Sequence, residues 1–294
     1  MKLDPSCIGC LFNQIVKAFN LLNPDSPNEI IIEAQKQLMK FLLKHDVNDG
    51  NSPLAGQTVY RIIADTLNIK DPYFAIKKKY NQIALKYYDK VKEIIDNSED
   101  QLFEALIVSA LGNTLDPASQ HDINLIKDIE NFNVNNLVIN DFEKFKISLE
   151  KAEHLLLILD NSGEIVFDKL LILTLKKLYP YLAITCTVRE APIINDATME
   201  DAKSIGLVEI TNVIEIPAAP GIMLSQASDE FKKLFFKENT IILSKGQGNF
   251  EGLYQLEIPD VEIYYLLKAK CPLMEKIFNV RMNDLIFKKK SNGF

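Results

Sequence analysis

Three short segments in the C-terminal half of this 294-residue chain carry side chains suited to chemistry. Asp160-Asn161-Ser162-Gly163-Glu164 sets two carboxylates around an amide, a hard oxygen set of the kind that suits Mg²⁺ or Mn²⁺. The stretch from Arg189 to Thr198 opens with a guanidinium and contains Asp196. Arg189 could hold an anionic substrate through a charge-assisted fork, and Asp196 could complete an oxygen set with Asp160 and Asn161. Lys245-Gly246-Gln247-Gly248-Asn249-Phe250-Glu251 combines a lysine with two glycines, Gly246 and Gly248, that let backbone N–H groups approach a phosphate. It is not a Walker A loop, because the lysine precedes the glycines, and it is not G-x-G-x-x-G. Each segment also has a plainer reading: side-chain caps for the following helix at Asp160, Asn161, Asp196 or Thr198, a surface ion pair for Arg189, and a simple turn at Gly246 and Gly248.

The elements that must position these residues are legible around them. The apolar run His154–Leu159 stops at Asp160, and Ile165–Leu178 then has helical spacing. After Pro180 comes a β-favouring run, Leu182–Val188. Strand, helix, strand is the unit of a parallel sheet. Further strands are expected at Thr240–Leu243 and Val261–Leu266. In open α/β sheets ligands bind beyond the carboxyl ends of the strands, which is where all three segments fall.

From Ile8 to about Leu111 the apolar spacing is helical, with breaks at Asn23–Pro27, Asp49–Pro53 and Lys70–Pro72. Asp71 is placed to cap a helix begun by Pro72. The chain therefore reads as a mainly helical domain over 1–150 followed by a Rossmann-like α/β/α sandwich with a mostly parallel sheet over 151–294. Solenoid repeats and low-complexity tracts are absent.

Hydrophobic residues make up 47% of the chain, and the net charge is −7. No dense basic stripe interleaves with aromatics, so nucleic acid is not expected as a partner. Lys77-Lys78-Lys79 and Lys288-Lys289-Lys290 read as a solvated helix face and a frayed terminus. No apolar stretch is long enough to span a membrane, and the N-terminus lacks the form of a signal peptide, so a cytoplasmic protein is expected. Four cysteines are too few for a disulfide scaffold. Cys7 and Cys10 form a Cys-x-x-Cys pair that, with Cys271, could make a second metal or redox site, or could be packed side chains. His121 reads as a surface histidine, with a proton-transfer role as the alternative.

Taken together, Asp-Asn-x-Gly-Glu at 160–164, Asn-Asp-Ala-Thr at 195–198 and Lys-Gly-x-Gly-Asn-x-Glu at 245–251 resemble the damage-control phosphatases, metal-dependent enzymes long catalogued as a domain of unknown function. The resemblance extends to Cys7-Ile8-Gly9-Cys10, Asp71-Pro72-Tyr73, Gly112-Asn113-Thr114-Leu115-Asp116 and Lys270-Cys271-Pro272, and so covers nearly the whole chain. The N-terminal Cys-x-x-Cys looks like the stand-alone microbial branch. Relatives include the protein called acidic residue methyltransferase and the phosphatase domain fused to pantothenate kinase, whose substrates should not transfer to this chain.

The resemblance implies that Asp160, Asn161 and Asp196 ligate the catalytic metal and that Lys245 contacts phosphate. Asn249, Gly248, Arg189, Glu164, Asn113 and Asp116 would line the same cleft, with the backbone at Gly246 beside them. The expected reaction is hydrolysis of a small phosphomonoester, such as a sugar phosphate or a damaged phosphometabolite, with Mg²⁺, Mn²⁺, Co²⁺ or Ni²⁺. Competing readings are a non-catalytic metal or redox module at Cys7 and Cys10, and a methyltransferase, for which the single glycine after the first strand is too few. Homo-oligomerisation is left open.

Overall fold

The fold was obtained as a computed structural model, which describes residues 1–45, 52–112, 137–258 and 260–291. Five helices come first: α1 (Pro5–Leu22), α2 (Asn28–Lys44), α3 (Ser52–Leu67), α4 (Phe74–Asn97) and α5 (Gln101–Leu111). Local chemistry sets their ends. The Asp4 carboxylate accepts from Ser6 N ahead of Pro5, and the Asp100 carboxylate accepts from Phe103 N. Leu11, Ile15, Ala18 and Phe19 give α1 one buried face. The helix after Asp71 begins at Phe74 rather than Pro72, and Asp71 instead accepts from Tyr73 N in the preceding turn. The Asp49–Pro53 break lies largely outside the described residues.

The second half alternates strands and helices: β1 (Leu137–Asn140), α6 (Phe142–Leu149), β2 (His154–Ile158), α7 (Glu164–Leu178), β3 (Ala183–Arg189), α8 (Met199–Ser204), β4 (Asn212–Ile216), α9 (Asp229–Phe235), β5 (Thr240–Lys245), α10 (Gln247–Leu253), β6 (Glu262–Lys268), α11 (Pro272–Phe278) and β7 (Leu285–Lys289). The seven strands form one sheet in the order β1-β7-β6-β5-β2-β3-β4, parallel except between β6 and β7. This is the expected fold class. The expected boundary at 150 does not coincide with a change of layer, because β1 and α6 precede it and β1 pairs with β7.

Alternation along the strands builds a core on each side of the sheet. Leu155 and Leu157 join a cluster with α4, α5 and α7, whereas Leu156 and Ile158 join one with α9, α10 and α11. A third cluster fills the space between α1, α2 and α3. α5 is buried almost throughout because it lies against α7. From β2 the chain runs outward through β3 to β4 and then returns to β5 on the other side of β2. Strand order therefore reverses between β2 and β5, the place where such sheets open a crevice. Among the described residues no helix is long and apolar enough to cross a membrane.

Candidate active site

The carboxyl ends of β2, β3 and β5 bring together nine of the singled-out residues. Asp160 and Asn161 follow β2, Arg189 ends β3, Lys245 ends β5, and Glu164 and Asn249 come from the first turns of α7 and α10. Backbone hydrogen bonds fix the loop that carries Asp196 to its neighbours. Ala197 N donates to Asp160 O at 2.8 Å, Ser162 N to Asn195 O at 2.9 Å, and Arg189 N to Ala197 O at 2.8 Å. Ile194, just ahead of this loop, has φ +44°, a strained value for a β-branched residue.

Asp160 and Asn161 do not cap α7, whose N-cap is Gly163 with no side-chain cap bond. Asn161 Nδ2 instead donates to Asp160 Oδ2 at 2.8 Å and to Glu164 Oε2 at 3.3 Å. Thr198 does cap α8, in a capping box with Asp201. Arg189 is buried rather than part of a surface pair: its Nε donates to Asp196 Oδ2 and one Nη to Asn249 Oδ1, each at 2.8 Å. Its other Nη has no hydrogen-bond partner among the described residues. Asn249 is held in turn, donating to Leu159 O at 3.0 Å and Lys245 O at 2.8 Å.

Electrostatics at this point favour a cation. Burial pushes the Asp160 carboxyl up to about 8, and the nearby Asp196 and Glu164 carboxylates add to the shift against Lys270 and Arg189. Burial raises Asp196 as well, against the pull of Arg189. Among the described residues no three His, Cys, Asp or Glu side chains form a metal-holding group. A cation here would therefore rely on Asp160, Asp196 and the Asn161 amide, with other oxygens completing its shell. Two carboxylates with water and phosphate oxygens suit Mg²⁺ or Mn²⁺.

Lys245 departs from the phosphate-contacting role expected of it. Its ammonium is fully buried and donates to Glu164 Oε1, to Asp168 Oδ1 at 2.7 Å and to Ser109 O at 3.1 Å. An ammonium has three donors, so none is left for a phosphate in this arrangement. Burial lowers the Lys245 pKa, but Asp168 and Glu164 outweigh it and hold the group charged. Gly246 is required where it stands: its φ is +80°, and a Cβ there would collide with the Asp160 carboxylate. Gly248 packs directly on Pro220 O, in the loop after β4.

Sequence reasoning missed Asp168, Ser109 and Asn81. Ser109 did leave a signal, as the lone polar residue in the apolar run Ala105–Leu111 of α5, whereas Asp168 is followed by Lys169 and reads as an ordinary charged pair. The Lys77-Lys78-Lys79 run is solvated at Lys78 and Lys79 but not at Lys77, which is buried and pairs with Asp71 at 2.8 Å. Asn113, Asp116 and His121 lie outside the described residues. Cys7 and Cys10 are on α1, with Cys10 exposed, and both feel the charge of Cys271, which follows β6, and of Glu251 in α10. Burial pushes both thiols up, which disfavours the reactive thiolate. Cys271 accepts from Gln247 Nε2 at 3.3 Å.

The family model of the damage-control phosphatase ARMT1-like domain matches residues 3–286. The chain is 34% identical over 300 aligned residues to an uncharacterized protein of Methanocaldococcus jannaschii, covering 99% of this chain and 96% of that one. It is 30% identical to a protein of Archaeoglobus fulgidus named damage-control phosphatase, covering 98% and 99%, and 31% identical to one of Pyrococcus horikoshii of the same description, covering 97% of each. The crystal structure of a DUF89 family protein from Pyrococcus horikoshii superposes with a TM-score of 0.87 at 28% identity, covering 99% of this chain and all of the other.

Proposed function

The chain belongs to the ARMT1-like damage-control phosphatase family, and from that premise we propose that it is a metal-dependent hydrolase of small phosphomonoesters. Membership supports a phosphatase role. The reading of metal dependence rests on one observation: a half-buried Asp160 and a buried Asp196, both raised, meet beside an arginine with an unsatisfied buried donor.

In this reading Asp160, Asn161 and Asp196 hold a divalent cation, with Mg²⁺, Mn²⁺, Co²⁺ and Ni²⁺ as candidates. When bound, the cation supplies Lewis-acid polarisation of a phosphoryl oxygen and offsets its charge. Arg189 keeps one Nη for a substrate phosphoryl oxygen while its other nitrogens are fixed by Asp196 and Asn249. A preorganised donor of this kind acts most strongly where water is excluded. Lys245 acts from below: it fixes Glu164, whose Oε2 orients the Asn161 amide. Gly246 N already donates to Leu266 O at 3.0 Å, so the Gly248 backbone, in the first turn of α10, is the remaining candidate for phosphate contact.

The test is release of inorganic phosphate from p-nitrophenyl phosphate and a panel of sugar phosphates, using EDTA-stripped protein with each divalent metal restored in turn. Turnover returning with the metal is the expected result. Silence with every metal, on protein that binds them and is folded, would overturn the reading.

A further inference from the structure

α4 belongs to the helical half, yet one of its side chains reaches both loops of the candidate active site. Asn81 is buried, at 5% exposure. Its Oδ1 accepts from Gly163 N at 2.6 Å, inside the Asp160–Glu164 turn, and its Nδ2 donates to Asp201 Oδ1 at 2.9 Å. Asp201 is the partner in the Thr198 capping box: its Oδ2 accepts from Thr198 N at 2.9 Å and from Thr198 Oγ1 at 2.7 Å. Thr198 is two residues from Asp196. Lys77, one helical turn before Asn81, adds a charge 3.7 Å from the same Asp201 oxygen.

One amide therefore spans the turn that carries Asp160 and Asn161 and the helix start that anchors Asp196. Gly163 takes φ +82° and has no side-chain cap, and a Cβ on it would stand 3.0 Å from the Tyr80 Cβ, so α4 backs directly onto it. A donor and an acceptor on one rigid planar group add a side-chain tie between the two loops, beside the backbone bonds from Ala197 N to Asp160 O and from Ser162 N to Asn195 O. Outer partners of this kind orient the groups that touch a metal, and losing one typically weakens metal binding about 10- to 100-fold.

We propose that Asn81 is a positioning residue that holds the Asp160–Glu164 turn and the Asp196–Asp201 segment in the register required to bind a cation, an inference that rests on the metal-dependent reading above. Asn81 touches neither metal nor substrate. It acts through Gly163 and Asp201, and it makes the helical half part of the site's construction rather than a cover for the sheet.

Three variants of the full chain test this: Asn81→Ala, Asn81→Asp, and Asn81→Asp combined with Asp201→Asn. The last exchanges the donor and acceptor roles, keeps an acceptor for Gly163 N and for Thr198 N, and conserves net charge. Mn²⁺ affinity by electron paramagnetic resonance, kcat and KM on p-nitrophenyl phosphate, and amide exchange over 161–165 and 196–201 are measured together. Both single variants should bind Mn²⁺ about 10- to 100-fold more weakly, with KM at saturating metal within about twofold of the parent and with faster exchange in both segments. The exchanged pair should recover most of the affinity. Unchanged Mn²⁺ affinity and exchange in Asn81→Ala would overturn the proposal, and so would an exchanged pair no better than Asn81→Asp alone. If the parent protein hydrolyses no ester with any metal, the phosphatase reading falls separately, while exchange and Mn²⁺ affinity still decide the role of Asn81.

Discussion

Two clusters built from the same parts sit at opposite ends of the sheet. At the carboxyl end of β5, Lys245 meets Glu164 and Asp168, and Ser109 Oγ donates to Asp168 at 2.5 Å. At the amino end of β6, Lys289 meets Glu262, which also accepts from Ser148 and, at 3.2 Å, from Tyr264. The lysine side chains differ in exposure, 1% against 38%. That difference reverses the response of the carboxylates. Burial pushes Asp168 up to about 6 despite Lys245 beside it, whereas at Glu262 burial is outweighed by the hydrogen bonds from Lys289 and Ser148 and the pKa falls. Solvent lets the outer cluster satisfy its charges cheaply, and the inner one is held together only by mutual satisfaction.

The comparison can be broken by substitution. Asp196→Asn keeps an acceptor for Arg189 Nε but removes a carboxylate from the proposed cation site. Metal-dependent turnover should fall by several kcal/mol of transition-state stabilisation, on the order of 10³-fold, as read from phosphate release at saturating metal. Lys245→Met strands two buried carboxylates, so urea denaturation should show a loss of about 3–5 kcal/mol. A loss under about 1 kcal/mol would mean that the inner cluster is as solvated as the outer.

A pH titration sharpens the same point. Asp160 and Asp168 have folded pKa values raised above their ordinary value of 3.8, to about 8 and about 6. The folded state therefore binds more protons than the unfolded one in that interval, and stability falls as pH rises through it. The metal-free protein should lose thermal stability from about pH 4 to 8, with Asp168 contributing up to about 6. Added Mn²⁺ should restore more stability at pH 8 than at pH 5, because the cation must displace the Asp160 proton; a flat Tm across that range would contradict the assignment. The smallest effect is expected at the outer cluster, where Lys289→Met should cost about 0–1 kcal/mol and less at high salt.

The inner strands were legible because burial on both faces leaves continuous apolar runs, as in Leu155-Leu156-Leu157-Ile158. β4 and β1 are edge strands with mixed exposure, and β7 trails into lysines, so none of the three left such a run. In the candidate site the residue types and their places after the strands were readable, since turn chemistry is local. The burial of Arg189 and the saturation of Lys245 were not, because each depends on neighbours far along the chain.

By itself the sequence determined the inventory and order of the site: Asp160 and Asn161 after one strand, Arg189 and Asp196 after the next, and Lys245 with its glycines after a third. Only the tertiary structure decided which group satisfies which. Setting β5 beside β2 and α5 against α7 brings Lys245 to Glu164 and Ser109, and packing α4 behind Gly163 brings Asn81 between the two loops. Spacing along the chain fixes where a side chain leaves its strand, but the partner of a buried charge is set by the desolvation it must escape, and that depends on what the fold packs around it.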